Sequence, residues 1–345
     1  MEHRGLGRNG VRNSTLCLEA MPFGAMGNRD VADCVRIVHR ALDGGINFLD
    51  TADVYSQGES EDIFGKALTS RQDDVVLATK VYNSMGCNKN TSGAPRRWIV
   101  MACEDSLRRL GIDRIDLYQV HRPDEHTDVD QTLGAPSDLV RDGKVLMVGT
   151  STFPAHKIVE AHWASEQRGH MRFRCEHPPY SIFVRNAERD VLPACERYGV
   201  GAIVWSPLNS GWLTGKYRRD QAPAAGSRFA RLGRASWSAG APGAQLKLAL
   251  LPELEALAAD AGLDLISLAL SFTLAHRAVT LTIIGLRTME QLESQLPAGD
   301  LTLSKDVLDR IDEIVDSGDT VSRADIAYEP QSIRDARAGR QVSVR

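Results

Sequence analysis

The sequence predicts a closed (β/α)8 barrel. About eight short apolar runs alternate with longer periodic ones along 345 residues. The short runs are apolar at nearly every position, as strands buried on both faces must be. The longer ones carry apolar residues at helical spacing. Eight such units in a chain of this length close into a barrel more readily than they line up in an open, doubly wound sheet, which is the structural alternative.

The units run in order. "LCLEAMPFG" (16–24) precedes "DVADCVRIVHRALDGG". In that helix Asp30 is the expected N-cap, Val31, Cys34, Val35, Val38, Ala41 and Leu42 form an apolar stripe, and Gly44 and Gly45 end it. "INFLD" (46–50) precedes "ESEDIFGKAL", "VVLATK" (75–80) precedes "RRWIVMACEDSLRRLG", and "IDLYQVH" (115–121) precedes "DQTLGAPSDLVRDG". Pro136 lies inside that last pattern and is expected to break or restart the helix. "VLMVGTS" (145–151), "MRFRCEH" (171–177), "GAIVWS" (201–206) and "VTLTIIG" (279–285) complete the strands, each with a helical pattern behind it. Residues 1–316 are read as a single domain. Residues 317–345, with arginines at 323, 334, 337, 340 and 345, are read as a tail that lies over the barrel mouth or is disordered. Loops 83–96 and 208–245 are long and rich in Gly, Ser, Pro and Asn.

"GLGRNG" (5–10) fits the glycine fingerprint G-x-G-x-x-G, with Asp30 where an acid would meet a ribose. Only four residues precede it and no helical pattern follows, so it reads as the turns of an N-terminal hairpin. A net charge of −4 makes no electrostatic case for nucleic acid or an acidic membrane. Six scattered cysteines without a C-x-x-C pair indicate neither a zinc site nor a redox dithiol, so no metal is expected. With no signal sequence and no apolar run of membrane length, the expected compartment is the cytoplasm.

Active sites of such barrels form where the strands end. Those ends carry Asp50, Lys80 and His121, with Tyr55 a few residues beyond the first. A tyrosine with a pKa near 10 is a weak acid at neutral pH, and a nearby ammonium lowers that value. Lys80 is suited to that task, with Asp50 holding it charged and His121 orienting a carbonyl oxygen. Each residue taken singly has an ordinary structural reading. Four of them on three successive strand ends make an acid ready to protonate an alkoxide.

"GINFLDTADVYSQGESEDIFGKAL", "VVLATKV", "SLRRLGIDRIDLYQVHRPD", "WSPLNSGWLTGKY" and "TIIGLRTMEQLESQL" resemble the aldo-keto reductase family, closest to its bacterial and potassium-channel β-subunit branch, from about residue 5 to 316. The resemblance implies carbonyl reduction by NADPH rather than NADH, and a catalytic tetrad at Asp50, Tyr55, Lys80 and His121. It places "GLGRNG" in a hairpin closing the barrel bottom. By the same resemblance Ser151 and Thr152, with His177, hold the carboxamide, and Trp205 stacks on the nicotinamide. Ser206, Pro207, Leu208 and Gly211 approach the diphosphate, and Lys216 and Arg228 reach a phosphate. Gly285, Arg287, Gln291 and Gln295 correspond to a clamp for the adenosine 2′-phosphate. Four positions depart from the family pattern: Glu19 and His177 stand where Gly and Gln are usual, and Thr152 and Gln295 where Asn is usual. Glu19 is the sharpest departure, since a buried carboxylate is costly unless paired or protonated; solvent, His177 and the place of the nicotinamide ring are its candidate surroundings. The partner implied is a small carbonyl compound, with assembly into a homo-oligomer open. The alternatives are alcohol oxidation in a modified nicotinamide pocket, or a cofactor-binding regulatory or partner-binding module with little turnover.

Overall fold

The computed structural model describes residues 1–219 and 240–330, together with 221, 223, 227, 230 and 333. Two short strands, β1 (His3–Gly5) and β2 (Arg12–Ser14), pair antiparallel. Eight parallel strands follow: β3 (Leu16–Glu19), β4 (Phe48–Asp50), β5 (Val76–Val81), β6 (Ile115–Val120), β7 (Val145–Ser151), β8 (Phe173–His177), β9 (Gly201–Val204) and β10 (Val279–Gly285). Each pairs with the next, and β10 pairs with β3, which closes the barrel and excludes the open sheet. Around it lie α1 (Val31–Asp43), α2 (Glu59–Leu68), α3 (Arg96–Leu110), α4 (Val129–Arg141), α5 (Ala155–Arg168), α6 (Val191–Tyr198), α7 (Pro242–Asp260), α8 (Leu265–Ala275), α9 (Met289–Gln295) and α10 (Lys305–Ile314).

The hairpin plugs the lower end. Leu6, at its turn, is buried among Cys17, Phe48, Leu117, Ile203 and Leu281 inside the barrel. Gly7 has a positive φ of 58°, and a Cβ there would stand 2.4 Å from the carbonyl oxygen of Gly199. The glycine run is therefore a steric requirement of a turn pressed against the start of β9. No helix follows it, and Asp30 caps α1, its carboxylate accepting from the Asp33 amide at 3.0 Å.

In α1 the buried stripe is Cys34, Ile37, Val38, Ala41 and Leu42, with Val31 and Val35 at its margin. Helix α4 corrects one expectation. It runs unbroken through Pro136, because Thr132, Leu133, Ala135, Pro136 and Leu139 all bury against the barrel wall and together outweigh one missing amide bond. The Ser137 hydroxyl donates to the Leu133 carbonyl at 2.6 Å beside the proline.

Residues 317–330 return to the rim. The Val321 amide donates to the Phe183 carbonyl, and the Arg185 amide to that of Asp319. Asp325 then accepts from Asn209 at 3.2 Å and pairs with Lys247, whose ammonium is buried 2.5 Å away. The tail's arginines at 334, 337, 340 and 345 lie outside the described residues. Among the described residues, no single helix is long and apolar enough to cross a membrane.

Candidate active site

Parallel register brings the upper strand ends to one level, with Glu19 opposite both Asp50 and Gly285, and Lys80 opposite Gln119. Asp50 and Lys80 point inward and are buried. Their carboxylate and ammonium form a short ion pair. The ammonium also donates to the Thr51 carbonyl at 3.0 Å, and the Gln119 amide donates to the other Asp50 oxygen at 3.1 Å. Burial pushes the Asp50 carboxyl up to about 6, while Lys80 pulls it down.

Tyr55 comes from the loop after β4. Ser56, Gln57 and Gly58 all adopt positive φ, and the turn is pinned where the Ser56 hydroxyl donates to the Phe23 carbonyl at 2.7 Å. That tight turn returns the phenol over the barrel, 3.5 Å from the Lys80 ammonium. The His121 ring stands edge-on to it, centroids 5.9 Å apart. Burial, Lys80 and Arg122 hold His121 well below the usual histidine range, so it is neutral at physiological pH. One of its nitrogens, Nδ1, lies 3.2 Å from the Asn83 amide. If that amide donates to it, Nε2 carries the proton. The four predicted residues thus converge.

Glu19 is half-buried and makes no pair with His177. Its carboxylate accepts from the Tyr55 hydroxyl at 3.0 Å. Burial, the Glu19 charge and the Asp50 charge together push the phenol well above its ordinary pKa, against the expectation that Lys80 lowers it. Lys80 is largely neutralised by Asp50, whereas Glu19 faces Tyr55 directly.

The wall at β7–β9 is continuous with this group. Ser151 is buried, its hydroxyl 3.4 Å from both the His177 carbonyl and the Thr152 hydroxyl. Thr152 has a positive φ of 64°. The Trp205 indole donates to the His177 carbonyl at 2.9 Å, leaving the ring half-exposed at the mouth. Beyond it Ser206, Asn209, Ser210 and Gly211 all have positive φ, a concentration of left-handed backbone typical of functional rims. Pro207 and Leu208 lie in the same turn, and Lys216 folds back toward Gly211. On the far side Gly285 is exposed and followed by Arg287, whose amide donates to the Gln291 side chain at 2.9 Å. Gln291 therefore shapes this loop. Arg228 lies outside the described residues.

Sequence reasoning missed Gln119, Asn83, Glu176 and Arg122. Glu176 is wholly buried, accepting from the Thr150 hydroxyl at 2.6 Å and the Phe153 amide at 3.0 Å, and burial pushes its carboxyl up to about 8. Alternation along β8 puts Cys175 inside the barrel and turns Glu176 the other way, into the packing behind the wall, and an acid at such a position is the signal that could have found it. Arg122 directly follows His121, which is itself one residue past the end of β6 at Val120. Among the described residues no cluster of His, Cys, Asp and Glu could hold a metal ion.

The chain belongs to the aldo/keto reductase family of oxidoreductases, whose pattern it matches over residues 17–316. It is 37% identical over 326 residues to the uncharacterized oxidoreductase YrpG of Bacillus subtilis, covering 91% of this chain and 96% of that one. It is 33% identical over 324 residues to an Arabidopsis thaliana protein named as a voltage-gated potassium channel subunit beta, covering 92% and 97%. A Schizosaccharomyces pombe protein named as an aryl-alcohol dehydrogenase is 28% identical over 338 residues, covering 89% and 94%.

The family uses NAD(P)H on small carbonyl compounds. Residues of this rim fit such a cofactor. Three buried polar atoms here have no hydrogen-bond partner among the described residues: His177 Nε2, Asn209 Oδ1 and Gln295 Oε1. They lie at the end of β8, in the turn after β9 and at the end of α9, and the polar groups of a dinucleotide are of the kind that would satisfy such atoms.

Proposed function

We propose that this chain reduces an aldehyde or ketone to an alcohol with NADPH. The observation that carries this reading is the buried Lys80 ammonium, fixed by Asp50 and 3.5 Å from the Tyr55 hydroxyl, with the His121 ring beside it. NADPH, when bound, supplies hydride to the carbonyl carbon. Tyr55 donates its proton to the carbonyl oxygen, and a neutral phenol is the form that reduction requires. Neutral His121 orients that oxygen, and Lys80 stabilises the phenolate left behind. Ser151, Thr152 and His177 would hold the carboxamide, Trp205 the ring face, Ser206 to Gly211 with Lys216 the diphosphate, and Gly285, Arg287 and Gln295 the adenosine end. Arg287 is the feature that favours NADPH, since a guanidinium suits a 2′-phosphate.

The test begins with titration of the protein by NADPH and NADH, read by Trp205 quenching, followed by a screen of aldehydes and ketones. NADPH is expected to bind more tightly, and Arg287→Ala to remove that preference. Tyr55→Phe is expected to retain quenching while losing about 100-fold or more in kcat. Absence of turnover across the panel overturns the reading.

The bond from Tyr55 to Glu19 favours a second reading, alcohol oxidation. A phenol proton held toward a carboxylate leaves the phenol oxygen suited to receive an alcohol's proton, and a negative charge beside the ring site favours a positively charged oxidised nicotinamide. Faster alcohol oxidation by the wild type than by Glu19→Gly would support this second reading; equal rates would remove it.

A further inference from the structure

Arg122 is out of balance with its surroundings. It follows His121 directly, is half-buried, and turns its guanidinium inward. One nitrogen, Nη1, donates to the His121 carbonyl at 3.0 Å and to the Thr152 hydroxyl. The carbon of the guanidinium lies 5.8 Å from the centre of the Trp205 ring. Among the described residues neither Nε nor Nη2 has a partner, and no carboxylate lies within ion-pair distance.

Among the described residues, the more deeply buried cations hold an acid: Lys80 holds Asp50, Arg109 holds Glu61, Arg185 holds Glu188 and Asp312, and Lys247 holds Asp325. The acids nearest to Arg122 in the chain or the wall are otherwise engaged. The Asp124 carboxylate accepts from the Ala94 and His126 amides and the Thr127 hydroxyl. Glu176 is buried behind Thr150 and Phe153, and a carboxyl titrating near 8 is largely uncharged at neutral pH. Glu19 is held by Tyr55. Nor would a nicotinamide neutralise the cation, since its carboxamide is neutral and its oxidised ring positive.

A partly desolvated guanidinium without an anion is costly, and its fork suits a carboxylate or phosphate in two-point contact. Resting on the carbonyl-reductase reading, we infer that Arg122 is a substrate-specificity residue, and that the natural substrate is a carbonyl compound bearing an oxyanion group, carboxylate or phosphate, bound between His121 and Trp205. Such a group would neutralise the cation and present the carbonyl to Tyr55 and His121.

The experiment compares matched pairs on the cofactor-loaded protein. 4-Carboxybenzaldehyde is set against 4-carbamoylbenzaldehyde, and glyceraldehyde 3-phosphate against glyceraldehyde. The wild type is expected to prefer the anionic member of at least one pair by about 10-fold to 100-fold in kcat/KM, the scale of a charge-assisted hydrogen bond. The pair showing the preference identifies carboxylate or phosphate. Arg122→Gln is expected to bring that ratio near one, and Arg122→Lys to restore part of it, with melting curves confirming that both variants fold. Binding of 4-carboxybenzaldehyde and of glyceraldehyde 3-phosphate is also measured directly by calorimetry. Turnover without a charge preference, or an Arg122→Gln defect in NADPH binding that leaves the ratio intact, overturns the inference and leaves the reductase reading standing. Arg122-dependent binding of either anion without turnover supports the anion site and overturns the reductase reading; neither binding nor turnover overturns both.

Discussion

At the scale of single residues, the acids around the rim differ in how their charge is met. Asp50 is answered by Lys80, while Asp53, three residues on, is not. Its two oxygens are buried without a hydrogen-bond partner, and burial, then Glu61, push its carboxyl up to about 8. In the unfolded chain it titrates near 4. The folded state therefore holds a proton between about pH 4 and 8 that the unfolded state has lost, so stability falls as pH rises through that window. Glu176 acts in the same sense. Asp53→Asn is expected to flatten part of this fall, a loss on the order of several kcal/mol in the wild type. Denaturant unfolding at pH 5, 7 and 9 measures it, and parallel pH profiles for variant and wild type would contradict the assignment. The strand-end residues of the tetrad were legible in the sequence because parallel register turns sequence position into a place on the rim. The partner of Glu19 was not legible, because Tyr55 sits in a loop whose course is set by three left-handed residues after it, Ser56 to Gly58, that no periodicity announces. Arg122 was missed for a related reason. It lies just past a strand end, where alternation no longer says which way a side chain points.

At the scale of elements, apolar patterning foretold the place of each barrel strand, within about two residues at most ends but with the first run extending five residues past β3, and failed where burial overrode local preference. Helix α4 keeps Pro136 in its interior because that face is packed. The hairpin offers a direct test of sterics against backbone preference. Gly7 and Gly10 both have positive φ, but only Gly7 has a neighbour that a Cβ would strike. Gly10→Ala is expected to cost about 1 kcal/mol, the penalty of left-handed backbone alone. Gly7→Ala is expected to cost about 1–3 kcal/mol more, the penalty of overpacking against the Gly199 carbonyl. Equal losses in thermal unfolding would show that the hairpin adjusts away from β9.

At the scale of the whole molecule, residues 317–330 join the barrel rim to the outer helices. The joint is Asp325, which neutralises buried Lys247 and holds Asn209 beside the turn after β9. Lys247 also lies 5.4 Å from the Trp212 ring. Asp325→Asn leaves that ammonium buried without its counter-charge. Because Asp325 is itself partly exposed, the expected loss is about 1–3 kcal/mol, below the range for a fully buried pair. It would be read as a lower melting temperature, and an unchanged one would mean that the joint contributes nothing to the fold. This joint was outside the reach of sequence reasoning, since 78 residues separate its two charges (325 less 247) and neither lies in a motif.

Closure of the barrel by β10 on β3 has a consequence during synthesis. The strand that carries Glu19 leaves the ribosome well before its second neighbour, Gly285, which follows 266 residues later (285 less 19). At ordinary elongation rates that interval is roughly 15–50 seconds. Throughout it the Leu16–Glu19 edge stays unpaired and Glu19 lacks the neighbour that completes its side of the rim. A nascent chain thus carries an open strand edge while those 266 residues (285 less 19) are made, and the wall beside Tyr55 is completed only when β10 arrives.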